Sequence, residues 1–565
     1  MVTVMNVPSA RRWWALAALA ISVLVVGLDL TVLNLALPTL ARDLHASTGD
    51  LQWFIASYSL VVAAALLPAG LLGDRLGRKK VLLVALVVFG VGSAACAYSG
   101  SAAALIAARA LLGLGAAAIL PLGLAVLPVL FTEAERPRAI AAVGGAIFIS
   151  YPVGPVLGGW LLDRFWWGSV FLINVPVVVI AVIAVALLMP ESRSSQRPRV
   201  DLLGIALSSA GLTAVTYGVI EAGPDGWSSG TAVTPLLGGA VILAAFVLWE
   251  RRLSARTAIQ PLIDLSLFAS ARFAWGTVLS TMVSFALFGI LFAMPKYFQD
   301  VRGADALGSG LRLLPMIGGM LIGLVLGGRL SSPPKDRPGQ PAGRAPTARA
   351  NTKILATAGF AVMAAALAVG AFTEPSSGTG FAAAWFAVAG LGLGFAMPAA
   401  MNAALGALSA ERSGAGSALM TAMRQVGATI GVAVLGTVLN SVYRSHLRLS
   451  QLHGTGPHGA GLPAAVAGTV RNGVGSGVAV AQRLGSAPLL GSVRTAFVHG
   501  LDIMLWVCGG IALTSALLAL AFLPRTPRLA PAGQILPAPD DGSGPGAASL
   551  DSAGKNREHE RHARP

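Results

Sequence analysis

Asp29 stands inside an apolar run, Trp13 to Leu37, where a carboxylate facing lipid would cost about 2.5–3.5 kcal/mol at mid-membrane. Such a group persists by facing a cavity or a partner, and it can carry a proton or a cation. Its neighbourhood, Leu28-Asp29-Leu30-Thr31-Val32-Leu33-Asn34-Leu35-Ala36-Leu37-Pro38, adds two further polar groups. Arg109 occupies a second apolar run and Arg424, followed by Gln425, a third. Counted from the run ends at 1.5 Å per residue, Asp29 and Arg109 both lie roughly 9–12 Å below one surface, so neighbouring helices would let them meet. A carboxylate beside a guanidinium can hold or release a proton as its surroundings open and close. The same pair also reads as a purely architectural salt bridge, and both readings stand at this point. For Arg424 the alternatives are an anionic group of a cargo or a helix carbonyl.

The elements that position these charges follow from composition. The 565 residues are 55% hydrophobic and 11% charged, against about 25% charged in soluble domains. Apolar runs of about 18–25 residues recur, each able to cross about 30 Å of hydrocarbon. The pattern predicts an all-α polytopic membrane protein with fourteen spans: 13–37, 51–72, 81–99, 103–130, 138–161, 169–189, 202–221, 233–250, 273–295, 307–328, 353–373, 381–406, 414–441 and 497–523. The first run is too long for a secretory signal and has no small-x-small cleavage site, so it is expected to be retained.

A net charge of +16 could point to nucleic acid, but the cations cluster in alternate loops between apolar runs. Arg75, Arg78, Lys79 and Lys80 share one loop; Arg136 and Arg138, then Arg193, Arg197 and Arg199, then Arg251, Arg252 and Arg256 follow, and a later loop adds Arg329, Lys335, Arg337, Arg344, Arg349 and Lys353. The short intervening loops hold few: Arg42, Arg164, and Lys296 with Arg302. The long one, 442–495, carries Arg444, Arg448, Arg471, Arg483 and Arg494 against this trend, but long loops translocate largely regardless of charge. The positive-inside rule then places both termini in the cytoplasm, which an even number of spans requires. Residues 442–495 are expected to form a long Gly/Ala-rich outer loop, and 525–565 a disordered cytoplasmic tail. Cys96 and Cys508 stand alone without metal-ligand spacing and read as packing residues. No metal site, cofactor or catalytic constellation is expected. Gly113-Leu114-Gly115 echoes a dinucleotide loop, but no strand precedes it.

Several strings carry a resemblance. Gly70-Leu71-Leu72-Gly73-Asp74-Arg75-Leu76-Gly77-Arg78-Lys79-Lys80, between spans two and three, resembles the signature loop of the major facilitator superfamily. Arg109 with Gly113 and Gly115 is similar to that family's R-x-x-x-G-x-G motif, with Leu112 where glutamine is common. Gly154-Pro155-Val156-Leu157-Gly158-Gly159 matches the core of its antiporter motif, with Ser150 at the usual upstream glycine. The string Leu28 to Pro38, Trp53 through Tyr58, and Phe171 to Pro176 are similar to the fourteen-helix drug:proton antiporter branch. Trp166-Trp167-Gly168-Ser169 points to its subgroup exporting quaternary ammonium compounds and dyes. The resemblance covers about residues 13–525.

It implies a cytoplasmic N-terminus (1–12), a six-helix bundle (13–190), a linker with inserted spans seven and eight (191–256), and a second six-helix bundle (257–524). It further implies a proton-coupled exporter of lipophilic, cationic drugs, dyes or biocides in the bacterial plasma membrane, functioning as a monomer by alternating access. Asp29 and Arg109 would couple protons. With one acid, exchange of one proton for one monocation moves no net charge. Asn34, Trp53, Tyr58, Phe148, Tyr151, Met397, Met401, Met420, Met423 and Arg424 would join Asp29 around the drug through cation–π and thioether contacts. Gly70, Asp74, Arg75, Gly77, Arg78 and Lys79 would form a gating loop, with Asp74 meeting the start of span thirteen in the outward-open state. Glycine ridges at Gly319, Gly323 and Gly327, and at Gly427 and Gly431, would serve sliding between the halves. The runner-up is an exporter dedicated to one self-made antibiotic.

Overall fold

In hydrocarbon every backbone amide must bond within its own segment, so long apolar runs become helices. The computed structural model describes residues 9–132, 135–192, 201–254, 265–331, 352–408, 413–448 and 463–523, and its regular structure there is helical throughout. The first half holds α1 (Ser9–Asp43), α2 (Thr48–Leu76), α3 (Arg78–Ala97), α4 (Ala102–Ala125), α5 (Leu127–Leu130), α6 (Arg136–Arg164), α7 (Ser169–Leu172) and α8 (Asn174–Leu188). Two helices follow, α9 (Leu202–Asp225) and α10 (Gly230–Ser254). The second half holds α11 (Ala271–Lys296), α12 (Ala306–Ser331), α13 (Thr352–Gly370), α14 (Thr379–Leu405), α15 (Ser413–His446), α16 (Ala464–Arg471), α17 (Val474–Arg483) and α18 (Ala487–Phe522).

Fourteen stretches are long and apolar enough to cross a membrane, α7 and α8 counting as one, Ser169–Leu188. α1 packs on α6 and α8, α2 on α4, and α3 on α4 and α8; in the second half α12 and α13 pack on α14, α11 on α15, and α18 on α13 and α15. The architecture is that of two six-helix bundles with an inserted pair, and α9 of that pair touches both α2 and α15. The tail 525–565 and the basic loop residues 193–199, 256 and 335–349 lie outside the described residues.

Three expectations are corrected. Residues 442–495 are not one irregular loop: α15 continues to His446, α18 begins at Ala487, and α16 and α17 lie between, with Val470, Val474 and Ala481 buried. Lys296 is not a loop cation. A π-turn, Tyr297–Val301, prolongs α11, and Phe298 and Val301 continue its apolar face, so Lys296 is only 4% exposed. The glycine ridges do not lie between the halves: Gly323 faces Gly394 of α14, and Gly431 faces Phe285 of α11, both within the second bundle.

Alternation of the spans gives the molecule a loop end, carrying the α2–α3 turn, and a far end. The far end is closed across the two halves. Asp163 of α6 accepts from the first amides of α12, Ala306 and Leu307, both at 3.0 Å. Gln299 donates to the Leu35 carbonyl at 2.9 Å, and Gln52 of α2 to Ala433 of α15 at 2.9 Å. Thr48 donates to the Asn472 carbonyl at 2.9 Å, which ties the α16–α17 pair over this end.

Candidate transport site

Arg109 Nη1 donates to Asp29 Oδ2 at 2.5 Å, and both side chains are 1% exposed. The guanidinium also donates through Nε to the Phe54 carbonyl at 3.0 Å and lies 4.5 Å from the Tyr58 ring centroid. Three helices therefore meet at this pair: α1 brings the acid, α4 the base, and α2 a carbonyl and an aromatic cover. α1 runs on to Asp43, so Asp29 sits deeper along its helix than the apolar run implied. The glycines after Arg109 explain the closeness. A methyl on Gly113 would come 2.7 Å from the Tyr58 carbonyl oxygen, and one on Gly115 would come 2.6 Å from the Phe89 amide nitrogen. Leu112, where glutamine is common, is fully buried among apolar side chains of this half.

The antiporter motif holds α6 between two neighbours. Gly154 abuts Thr31, Gly158 lies against Val32 of α1, and Gly159 against the Leu307 backbone of α12. The Pro155 carbonyl meets Gly310 of α12. Ser150 replaces the usual glycine without a clash because Gly27 of α1 supplies the missing space opposite it.

Beside this frame, toward the loop end, lies a cavity of about 230 Å³ lined by Phe148, Met320, Leu324, Met397, Met401 and Asn402. A water-sized void of about 10 Å³ adjoins it at Met320 and is walled by Thr31, Tyr151, Leu287 and Met316. Arg424 backs onto the cavity: Nε donates to Ser284 Oγ at 3.3 Å, and Nη2 is 3.9 Å from Met397 Sδ.

Of the residues expected around a drug, Phe148, Met397 and Met401 line the cavity, Tyr151 the smaller void, and Arg424 touches a wall residue. The others point elsewhere here. Trp53 lies 6.3 Å from Tyr217 of the inserted α9, Tyr58 covers Arg109, and Met420 is buried with Phe273 and Leu419 while Met423 packs on that cluster. Asp29 and Asn34 are buried; Asn34 Nδ2 donates to Leu30 and its Oδ1 has no partner. Sequence reasoning missed Met316 and Met320, although their i, i+4 spacing puts both on one face of α12.

In the α2–α3 turn, Gly77 has φ +115°, a conformation glycine tolerates. Asp74 accepts from Arg78 at 2.8 Å, and Arg78 in turn donates to the Ala125 carbonyl at 2.8 Å. Lys79 reaches the Ala186 carbonyl at 2.6 Å, Arg75 is exposed, and Gly70 faces open space. The turn is thus tied to its own bundle.

The Major Facilitator Superfamily profile matches residues 19–432. The chain belongs to this superfamily. Among relatives of this facilitator, the tetracenomycin C resistance and export protein of Streptomyces glaucescens is 32% identical over 90% of this chain and 91% of its own. The multidrug efflux pump LfrA of Mycolicibacterium smegmatis is 31% identical over 87% and 92%. The methyl viologen resistance protein SmvA of Salmonella typhimurium is 30% identical over 90% and 97%. A crystal structure of a bacterial homologue of the human lysosomal transporter Spinster has the same fold, with TM-score 0.62 and 16% identity over 91% of this chain and 98% of that one.

Proposed function

We propose that this facilitator exports lipophilic drugs, dyes or biocides from a bacterial cell in exchange for protons, with Asp29 as the proton-exchanging group. The observation that carries the reading is the buried Asp29–Arg109 pair, placed in the half that closes over the far end and beside a cavity on the loop end. The roles in the relatives' names, export of an antibiotic and multidrug efflux, support the same reading. The loop end, with Arg75, Arg78, Lys79 and Lys80, faces the cytoplasm, and both termini lie there.

The cycle then runs between two states. With the loop end open, cargo enters the cavity while Arg109 neutralises an ionised Asp29. Opening of the far end separates α1 from α11, breaking the Gln299–Leu35 bond and the Arg42–Asp300 pair. External water then reaches Asp29, which takes a proton and loosens its hold on Arg109 as cargo leaves. Return to the present state delivers the proton inward. Asp74 exchanges Arg78 for the amides that begin α15 when the loop end closes, a contact the helix dipole favours by about 0.3–1 kcal/mol.

A second reading, export of one self-made antibiotic, is favoured by relatives whose names carry a single compound, such as the probable actinorhodin transporter of Streptomyces coelicolor, 31% identical over 76% of this chain and 73% of its own. A biosynthetic cluster around the gene would favour it; an adjacent repressor gene would favour broad efflux. The central test uses vesicles under an imposed acid-outside jump. Wild type is expected to show coupled counterflow of cargo and protons, and Asp29→Asn to lose it; undiminished counterflow in the variant overturns the proposal.

A further inference from the structure

Among the described residues, no carboxylate pairs with Arg424. Its side-chain neighbours are a hydroxyl, Ser284, and a thioether, Met397, and none of the ion pairs among the described residues includes it. The helices around it offer no acid. Between Ala271 and Lys296, Ala306 and Ser331, Thr379 and Leu405, and Ser413 and His446 the sequence has neither Asp nor Glu. On α6 the acid is Asp163, at the far end and bound to the α12 amides. Asp29 is already neutralised by Arg109.

A guanidinium held at membrane depth without a counter-charge is costly, and one kept there pairs within the bundle or marks the path of a substrate. The walls beside it are mostly apolar, with Asn402 among them, and include Phe148, Met320, Met397 and Met401, with Tyr151 and Met316 in the adjoining void. Aromatic faces and adaptable thioethers suit flat fused rings. The planar fork of arginine suits a carboxylate or a phenolate, which it can bind through two parallel hydrogen bonds.

We infer that the cargo of this cavity is an aromatic weak acid, a polycyclic molecule whose carboxylate or phenolate binds Arg424. The inference rests on the export reading and specifies its cargo. A cationic cargo would need Asp29 as its counter-charge, and Arg109 holds that position in the loop-open conformation.

Binding to the purified full-length protein tests this without any proton gradient, so it can fail separately from the counterflow experiment. The probes are an anthraquinone carboxylate, its methyl ester and a quaternary phenanthridinium dye, titrated near pH 7 by fluorescence. The acid is expected to bind at least about tenfold more tightly than the ester or the cation. Arg424→Gln should bring the acid down to the level of the ester while the ester keeps its affinity, and Arg424→Lys should retain part of the preference. The ester or the cation binding wild type as tightly as the acid would overturn the inference. So would an unchanged acid-to-ester ratio in Arg424→Gln, or loss of the preference in an Arg424→Lys protein that still binds the ester.

Discussion

Asp300 accepts from Arg42 at 3.3 Å, joining α1 to the end of α11, yet the two side chains are 2% and 46% exposed. One turn before Asp300, the Lys296 ammonium lies 3.3 Å from the Phe292 ring centroid, at 4% exposure. The acid is therefore the buried anchor of this corner, and the arginine its solvent-facing partner.

Removing the two partners should cost unequal amounts. Arg42→Ala loses an exposed contact, about 0–1 kcal/mol. Asp300→Ala removes the buried acid one turn from the buried Lys296 and should cost more, about 1–3 kcal/mol. Thermal unfolding in detergent separates them, and equal losses would show that Lys296 does not depend on Asp300.

Gly113→Ala should be poorly tolerated and Gly144→Ala harmless. The first methyl would press on the Tyr58 carbonyl between α2 and α4, an overpacking of about 1–3 kcal/mol, whereas nothing lies within 4 Å of the second. Folded yield by size exclusion reads the contrast, and similar yields would mean that α4 can withdraw from α2 without loss.

The architectural and coupling roles of Asp29 can be parted by a double variant. Arg109→Gln alone leaves a buried carboxylate unpaired, at about 3–5 kcal/mol, whereas Asp29→Asn with Arg109→Gln leaves two neutral amides. The double variant should regain most of the lost stability and still show no proton counterflow. Counterflow restored along with stability would reduce the pair to a scaffold.

Asp163→Ala should favour opening of the far end. The carboxylate caps α12 from another helix, a bond worth about 0.5–2 kcal/mol by analogy with N-caps. A cysteine placed at Leu35, fully buried here, should react faster with an impermeant maleimide in this background. An unchanged rate would show that the α6–α12 glycine contact closes this end unaided.

Electrical behaviour depends on the cargo. One proton entering while one monoanion leaves moves two elementary charges in the same sense, about 4.6 kcal/mol per 100 mV. Exchange of a proton for a monocation moves none, and each pH unit supplies about 1.4 kcal/mol in either case. With pH equal on both sides, a cytoplasm-negative potential should thus drive efflux of an acidic dye. Insensitivity to the potential would mean neutral exchange.

How much of this was legible in the chain varies by element. Spans such as α3 and α13 followed from hydropathy within a few residues, because the transfer of each side chain out of water is a local property. Asp29 and Arg109 stood out because charges in apolar runs are expensive wherever they sit. The course of α11 past Pro295 was missed, since Lys296 and Asp300 look like loop residues until Phe298 and Val301 are seen to keep a helical face. Trp53 was misplaced because its helix has two sides worth an aromatic, and the inserted α9 covers one of them.

By itself, the sequence determined a fourteen-span helical membrane protein, its glycine motifs and the charges that had to find partners. Only the tertiary structure decided which charges did: Asp29 closes on Arg109, Asp163 on the start of α12, and Arg424 on no acid among the described residues. Hydropathy acts residue by residue, but compensation of a buried charge is a matter of distance between helices, and that distance exists only once they pack.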